Sequence, residues 1–420
     1  MRFSQKNLTV VLHAKIENPK SLHRLACGAS RFYKYIYCRG TEPCVPIMRK
    51  QLAFCDRSSN RFVFTTCRLP PLTAHSDIFF LMRIFDKNLE NNFLIRLASY
   101  ALLLGIILIT LLSIISSFRG NFLLELFSHF KIQYFVLNFL LFGLLVLARK
   151  QKFTVIGLFC LSIVLAEIVP WYIPHTNIGI NNPTKLRVLS SNINNENQRY
   201  SQVLSLVRQE KPDIAVFMEI NQDWVKQLDS LKDILPYTIA KANPYNLGIA
   251  VYSKHPLKDA SLTFFGTSQN PSIVGNLDIN GQIVSLIAAH PPPPIKSALF
   301  KARNQQLNEI GKYIKSLKTR VIMVGDFNIT MWSPYYKQFI SKAGLKNARK
   351  GFGIVPTWPS KTNYPPYSKM PSLLTRLLSI PIDHCLVSPG INVAKIRAGS
   401  YVGSDHRPLI TDLVIPEKKT

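Results

Sequence analysis

Three apolar stretches follow one another in the first half of the chain, and no other feature of the sequence limits its fold so strongly. They cover Leu97–Phe118, Ile132–Ala148 and Phe153–Tyr172, and the only charged residue inside them is Glu167. At a rise of about 1.5 Å per residue, helices of this length approach or span a hydrocarbon core of about 30 Å. Because short charged turns separate the stretches, the sequence predicts three transmembrane helices rather than a buried helix pair of a soluble protein.

Basic residues flank these stretches unevenly, which bears on orientation. The two richer flanks precede the first stretch (Arg83, Lys87 and Arg96) and join the second to the third (Arg149, Lys150 and Lys152). The loop between the first and second stretches has only Arg119 and Lys131 near the spans. Since basic loops favour the cytoplasmic side, three crossings predict a multi-pass protein of the cell membrane whose later residues lie outside the cytoplasm, in the periplasm.

The composition agrees with a division into an apolar and a basic part. Hydrophobic residues make up 47% of the 420 residues, yet the formal net charge is +28 at pH 7. These values conflict for one soluble body but fit apolar spans joined to a basic folded domain. The charge alone suits nucleic acid, anionic lipid and phosphorylated substrates equally.

The chain outside the spans divides into three further segments. Residues 1–81 are basic and hold five of the seven cysteines, without an apolar region that would indicate a secretory signal peptide. We expect either a poorly ordered cytoplasmic extension or an over-extended gene start. Residues 82–175 then form the membrane anchor, 176–184 a linker and 185–415 a catalytic domain. The absence of a C-x-x-C pair gives no support to a zinc ribbon.

The pattern changes after the linker, where short β-rich runs alternate with longer amphipathic ones. The predicted strands are Leu186–Ser191, Ile214–Met218, Ile249–Tyr252, Ile273–Leu277, Ile283–Ala288, Val321–Val324, Ile382–Val387 and Leu409–Val414. The predicted helices are Tyr200–Gln209, Trp224–Leu231 and Ser297–Leu317. This mixed order predicts an α/β sandwich with functional residues in loops at strand ends.

Polar residues able to serve one reaction stand at the ends of these strands. They are Asn192 and Asn194, Glu219, His290, Asp326 and Asn328, Asp383, and Asp405 with His406. Any one of them could be a turn or capping residue, but six such positions in succession are hard to assign to turns. Carboxylates and amides are oxygen ligands that suit Mg²⁺ or Mn²⁺, and a histidine beside an aspartate can contact phosphate or transfer a proton. The set fits phosphodiester hydrolysis.

The ordered motifs S-x-N-I-N, P-D-I-x-x-F-x-E, A-A-H, G-D-F-N, I-D-H and S-D-H-R-P resemble those of the endonuclease/exonuclease/phosphatase superfamily. The resemblance covers residues 185–415 and implies its DNase-I-like fold, a four-layer α/β sandwich. With three spans in front, the chain is also similar to a membrane-bound bacterial subgroup of that superfamily. The resemblance implies a hydrolase that acts on nucleic acid or a phospholipid headgroup, with a phosphomonoesterase or a non-catalytic membrane-tethered binding protein as alternatives. No protein partner is expected beyond the lipid bilayer.

The resemblance also implies a role for each site residue. Glu219 would be the principal ligand of a Mg²⁺ or Mn²⁺ ion, with Asn192 and Asp405 completing the metal environment. Asp326 would act on the attacking water and Asn328 would hold the phosphate. Asp383 would orient His406, which would contact the phosphate, and His290 would be a second active-site histidine. Asn194 stands where abasic-site endonucleases carry an acidic residue, which speaks against that activity.

The segment Thr357–Ile380 is the expected substrate-selecting loop. It combines aromatic and basic residues, which suit single-stranded nucleic acid, with Leu373, Leu374, Leu377 and Leu378. Leucines at helical spacing suit either a bilayer surface or the domain's own core, and core packing is the more ordinary interpretation.

Overall fold

The computed structural model of the chain describes residues 52–55, 62–65, 93–174, 184–362, 365 and 367–416. The chain divides into two units, Met1–Phe80 and Leu81–Thr420. In the first unit, strands β1 (Leu52–Cys55) and β2 (Phe62–Thr65) pair in antiparallel fashion. The expected extension (residues 1–81) and linker (residues 176–184) otherwise lie almost wholly outside the described residues.

The second unit begins with helices long and apolar enough to cross a membrane, as the sequence predicts. The helices are α1 (Phe93–Ser116), α2 (Phe122–Phe127), α3 (Lys131–Leu147) and α4 (Gln151–Ala166), and the three candidate spans are Phe93–Ser116, Phe122–Leu147 and Gln151–Trp171. Polar groups within the bundle face one another, and the Asn138 amide donates to Thr110 Oγ1 at 3.0 Å. Glu167 lies 2.8 Å from Lys131 Nζ, so its charge is balanced inside the bundle.

Two six-stranded sheets form the centre of the remaining chain. The first sheet has the order β13–β14–β3–β4–β6–β5 and the second β11–β12–β10–β9–β8–β7. The strands are β3 (Thr184–Asn192), β4 (Ile214–Met218), β5 (Tyr237–Lys241), β6 (Ile249–Ser253), β7 (Leu257–Thr263), β8 (Ser272–Ile279), β9 (Gln282–Ala289), β10 (Arg320–Asp326), β11 (Lys346–Asn347), β12 (Asp383–Val387), β13 (Asn392–Ala398) and β14 (Leu409–Ile415). The helices are α5 (Tyr200–Glu210), α6 (Gln222–Leu228), α7 (Ser297–Ser316), α8 (Pro334–Ala343) and α9 (Ser372–Leu378).

Three apolar clusters hold these layers together. The inner faces of both sheets share a cluster that includes Val188, Val216 and Ile322. Helices α5 and α6 pack on the outer face of the first sheet, and α7 and α8 on the outer face of the second. The order helix, sheet, sheet, helix confirms the expected four-layer α/β sandwich. Strands buried on both faces need continuous apolar runs, as β4 (IAVFM) shows.

The candidate spans and the sandwich meet over a docking face. This term denotes two groups of residues that contact each other. The first is the segment between α1 and α3, which includes α2, together with the end of the third span. The second is α7, α8 and the loop before α8. Across it, the ring of Phe300 packs against that of Phe122 in a tilted arrangement at a centroid distance of 5.8 Å and edge-to-face against that of Tyr335 at 5.2 Å. The Tyr335 hydroxyl donates to Gly120 O, and the Trp332 indole N–H donates to Glu167 O. The loop between the first two spans and the sandwich are therefore on the same side of the helix bundle.

Candidate active site

Strand register brings the polar strand ends of both sheets to one place. In the first sheet, Asn192 at the end of β3 is the partner of Met218, which directly precedes Glu219. In the second sheet, Asp326 at the end of β10 lies opposite Asp383 at the start of β12. Because the two sheets pack face to face, all four residues line a single buried site. His290 follows the end of the neighbouring strand β9.

The backbone at these strand ends is unusual. Glu219 and Asn328 adopt left-handed conformations, with φ of 58° and 50°. Non-glycine residues seldom do so, and such residues cluster at functional sites. Gly325, next to Asp326, has a φ of 149°, and a Cβ there would come within 1.9 Å of Ala289 O. Only glycine allows β10 to approach the end of β9 so closely, and this approach brings Asp326 towards His290.

The side chains converge on the Asn192 amide. Its nitrogen Nδ2 donates to Glu219 Oε1 at 2.7 Å and to Asp326 Oδ2 at 3.1 Å, and it lies 3.4 Å from His406 Nε2. His290 Nε2 lies 3.6 Å from Asp326 Oδ2 and 3.9 Å from Glu219 Oε1. We call Asn192, Glu219, His290, Asp326, Asp383 and His406 the catalytic cluster. Each of them except Glu219, which is slightly exposed, is buried.

His406 and Asp383 form a pair within this cluster. His406 Nδ1 lies 3.0 Å from Asp383 Oδ2, and the other imidazole nitrogen lies 3.5 Å from Asp326 Oδ2. Burial opposes the charged imidazole, but the Asp383 and Asp326 carboxylates raise the pKa of His406 well above its ordinary value. Burial would likewise raise the pKa of Asp383, yet the His406 cation and its hydrogen bond bring it below the ordinary value. The pair is therefore an imidazolium held by a carboxylate.

The second histidine has the opposite state. Burial, together with the nearby His406 cation, lowers the pKa of His290 to about 4. His290 is therefore neutral at pH 7, and its buried Nδ1 has no hydrogen-bond partner among the described residues. One site thus holds a cationic and a neutral imidazole, which can take different parts in a reaction.

The carboxylates outnumber the cations. Burial raises the pKa of Glu219 to about 8, and the neighbouring carboxylates of Asp405 and Asp326 contribute to that rise against the effects of His406 and Asn192. Burial also raises the pKa of Asp326, although the His406 cation opposes it. Asp383 Oδ1 is buried without a hydrogen-bond partner among the described residues. A buried cluster of this composition favours a bound cation, and its oxygen donors suit Mg²⁺ or Mn²⁺.

Two sets of residues can be considered as holders of such an ion. Asp326, Asp383 and His406 each offer a ligand atom, and these atoms lie within 4.8 Å of one another. However, His406 Nδ1 and Asp383 Oδ2 already bond to each other, which makes this trio a weaker cation site than its spacing suggests. Glu219 has no basic partner in the cluster other than the histidines, so it is the stronger anchor for a metal. The Asn192 side chain points its amide nitrogen at the carboxylates of Glu219 and Asp326. A rotation of the amide group by 180° would point its oxygen there instead, where it would be a ligand for a metal.

The remaining expected residues lie at the edge of the cluster. Asp405 accepts from the Asn194 amide and from the Trp358 indole N–H, both at 3.1 Å. The Asn328 amide donates to Pro291 O at 3.0 Å, while its backbone N–H donates to Asp326 Oδ1 at 2.9 Å. Asp405 and Asn328 thus flank the catalytic cluster, on the sides of the first and second sheet respectively.

The sequence pattern does not identify two residues near the cluster, Trp358 and Arg349, as site residues. Trp358 was expected only as part of the substrate-selecting loop, but its ring centroid lies 6.3 Å from that of His406. Arg349 is fully buried, lies 3.4 Å from His384 Nδ1 and helps to lower the pKa of Asp383. An isolated arginine in a loop gives no sequence signal of this kind, whereas a tryptophan in a basic loop gives a weak one.

Sequence comparison identifies the family to which this fold belongs. The sequence model of the Endonuclease/Exonuclease/phosphatase family matches residues 189–406. The match covers more than half of the chain, and the protein belongs to that family. Members of the family are hydrolases that act on phosphodiester bonds, and they typically use divalent metals. No curated protein sequence matches the chain.

Several solved structures are similar to the sandwich. TDP2 from D. rerio, complexed with a single-strand DNA product, has 16% identity and a TM-score of 0.46, with 55% of this chain and 99% of that chain covered. An endonuclease/exonuclease/phosphatase family protein from Bacteroides thetaiotaomicron has 22% identity and a TM-score of 0.43, with 56% of this chain and 100% of that chain covered. Sphingomyelinase C from Streptomyces griseocarneus has 16% identity and a TM-score of 0.42, with 55% of this chain and 99% of that chain covered.

Proposed function

We propose that the protein is a membrane-anchored, divalent-metal-dependent phosphodiester hydrolase that acts outside the cytoplasm on nucleic acid or a phospholipid headgroup. The observation that carries this proposal is the catalytic cluster, in which buried carboxylates exceed cations. Glu219 would hold Mg²⁺ or Mn²⁺, with Asn192 and Asp405 beside it. When bound, such an ion supplies a Lewis acid that polarises the phosphate.

The protein residues divide the work of hydrolysis. The water oxygen forms a bond to phosphorus while the ester P–O bond breaks, and the departing oxygen gains a proton from solvent. Asp326 takes a proton from the attacking water, a task that suits a buried carboxylate whose pKa is raised. The His406 imidazolium, held by Asp383, donates a hydrogen bond to the phosphate oxygens as negative charge builds on them. Asn328 would hold the phosphate beside Asp326.

The proposed orientation rests on the basic flanks of the spans and on contacts of the docking face. In the turn between the second and third spans, Arg149 and Lys152 are exposed. On the sandwich side, Lys131 at the start of α3 is buried against Glu167, and the side chain of Arg119, which follows the first span, bonds to that of Gln338. Two of these exposed basic side chains therefore lie on the side opposite the sandwich and one, Arg119, lies on the same side, and this asymmetry favours an extracytoplasmic catalytic domain.

The catalytic part of the proposal is tested with the full-length protein in detergent. We expect DNA, RNA, sphingomyelin or inositol phosphates to be hydrolysed with Mg²⁺ or Mn²⁺ and not with EDTA. Glu219→Gln should lower turnover by roughly a hundredfold or more. Full turnover in EDTA, by the wild type or by this variant, would overturn metal dependence. Release of phosphate from monoesters alone would favour the phosphomonoesterase alternative, and binding without hydrolysis would favour a binding protein.

The orientation is tested with reporters fused after Thr420. A reporter that is active only in the periplasm should give a signal, whereas one that is active only in the cytoplasm should give none. The reverse pattern would refute the extracytoplasmic location while leaving the catalytic proposal intact.

A further inference from the structure

Helix α9 presents an apolar surface that the sandwich does not cover. The side chains of Leu373, Leu374 and Leu377 are exposed to 68%, 42% and 48%, while Thr375 is buried. The more ordinary expectation, that these leucines pack in the domain's core, is therefore wrong for these three. Three exposed leucines on one two-turn helix form a compact apolar patch, and such patches mark interaction sites.

A direct contact with the second span locates this helix. Gln133 Nε2, in the first turn of α3, donates to Leu377 O at 2.8 Å and to Ser379 O at 3.4 Å. Leu137, one helical turn further along α3, is 46% exposed and belongs to the apolar exterior of the span. One turn of an α-helix is about 5.4 Å long. The end of α9 therefore lies within about one helical turn of the surface that faces lipid.

The charge around α9 is of one sign. The segment from Thr357 to Ile380 contains Lys361, Lys369 and Arg376 and no acidic residue, and all three basic side chains are exposed. Leucines on one side with basic residues beside them are the composition of a helix that lies in the interface of a bilayer containing anionic lipid.

The same segment borders the catalytic cluster. Trp358 and Ile380, near its two ends, pair through backbone hydrogen bonds, and Asp383 follows Leu378 by five residues. At no more than about 3.6 Å per residue, α9 ends within roughly 18 Å of Asp383. A membrane contact at α9 would thus hold the rim of the site next to lipid headgroups.

We propose that α9 is a further membrane contact, which inserts Leu373, Leu374 and Leu377 into the headgroup–acyl boundary of the bilayer that the spans cross. Anionic lipid phosphates are the partners of Lys369 and Arg376. The contact fixes the catalytic domain with the Trp358 side of its site against the bilayer. This inference depends on the spans and on α9 and does not require the protein to be a hydrolase.

The proposal is tested with the full chain in nanodiscs that hold one protein each and contain phosphatidylcholine and phosphatidylglycerol with brominated acyl chains. A fluorescent amino acid is placed at position 374, at Leu140 within α3 as a lipid-facing control, and at Ile283 as a control away from the membrane. Ile283 is 40% exposed and lies at the opposite end of β9 from His290. We expect quenching at 374 of at least about half that at 140, and none at 283.

Quenching at 374 no greater than at 283 would overturn the proposal. A triple variant, Leu373→Gln with Leu374→Gln and Leu377→Gln, provides a second measurement because these side chains are exposed and should not be needed for folding. It should release the segment, so that a probe at Met370 loses its quenching while the melting temperature stays unchanged. If the triple variant instead changed only self-association of the detergent-solubilised protein, the patch would bind a second copy and the membrane contact would be wrong.

Discussion

Two of the buried polar clusters among the described residues differ in how their charges are balanced. In the catalytic cluster, buried carboxylates exceed cations, and the pKa of Glu219 rises to about 8. In the docking face, Glu125 lies 3.1 Å from Arg303 Nη2 and accepts from the Ser333 hydroxyl at 2.7 Å. Both Glu125 and Arg303 are completely buried. The balanced cluster pairs its charges within the protein and joins two parts of it, whereas the unbalanced one has an excess of carboxylates that a bound cation would offset.

The two clusters are linked by one side chain. Arg303 bonds to Glu125 with one guanidinium nitrogen, and with another it donates to Asn328 O at 2.8 Å. Asn328 in turn donates its backbone N–H to Asp326 Oδ1. The loop that carries Asn328, which we call the active-site loop, is therefore held by Arg303, and Arg303 is itself held by Glu125 of α2.

The largest expected effect concerns the unbalanced cluster. His406→Ala should lower kcat by about two to four powers of ten, because the cation that contacts the phosphate is lost. Asp383→Asn should have a smaller effect, and adding it to His406→Ala should change kcat little, since the two residues act as a unit. Kinetics of the three variants with their melting temperatures check this. Additive losses confined to stability would show that the pair is structural only.

The balanced cluster should respond in stability instead. Arg303→Met leaves His129, 3.3 Å away, as the remaining ionisable partner of the buried Glu125. The cost should be about 3 kcal/mol in the free energy of unfolding, at the lower end for a broken buried pair. The double variant Glu125→Leu with Arg303→Met should recover most of this loss. Thermal melting of the full-length protein in detergent measures both. As a control, Glu309→Gln removes an exposed ion pair with Lys312 and should leave the melting temperature unchanged. A double variant no more stable than Arg303→Met alone would contradict the balance of this pair.

The pH dependence of stability separates the clusters further. In EDTA, the folded protein keeps a proton on Glu219 up to a pKa of about 8, whereas the unfolded chain loses it near 4.5. The folded state binds more protons between these values, so its stability should fall as pH rises from about 5 to 8, by a few kcal/mol. Glu219→Gln should flatten that fall and raise the melting temperature at pH 8. An equally steep fall in the variant would assign the dependence to another group.

The smallest effect tests the link itself. In the double variant Glu125→Leu with Arg303→Met, Asn328 O loses its donor although the charge balance is kept. The loss of one hydrogen bond of about 1 kcal/mol corresponds to a decrease in kcat of about fivefold. A decrease of this size with an unchanged KM would show that the docking face positions the active-site loop. An unchanged kcat would show that the two clusters are independent.

The sequence predicted the parts of this molecule that depend on local pattern. Apolar runs such as IAVFM identified the central strands, and the sequence indicated the members of the catalytic cluster because they stand at or beside the ends of those strands. Edge strands were missed, since β7 (LKDASLT) and β13 (NVAKIRA) are half exposed and carry charges that break the apolar pattern. Helix α8 was missed as well, although Ser333 and Pro334 are typical of a helix start.

Contacts between distant segments could not be predicted in this way. Ser333 and Glu125 are 208 residues apart, and neither residue stands in a pattern that names its partner. The predicted residue types of the catalytic cluster were informative because carboxylates, amides and histidines converge there for chemistry. A serine before one helix and a glutamate within another carry no such information until the fold brings them together.

The docking face also has a consequence for biogenesis. The candidate spans are made before Arg303 leaves the ribosome, so α2, which carries Glu125, is in place when the sandwich begins to fold. Only α3 and α4 separate α2 from the sandwich. The two therefore lie on the same side of a bilayer only if both helices cross it or neither does. If only one of α3 and α4 were inserted, Glu125 and Arg303 would lie on opposite sides of the membrane. Such a molecule would expose the apolar residues of the docking face, and cellular proteases could recognise its wrong topology by that exposure.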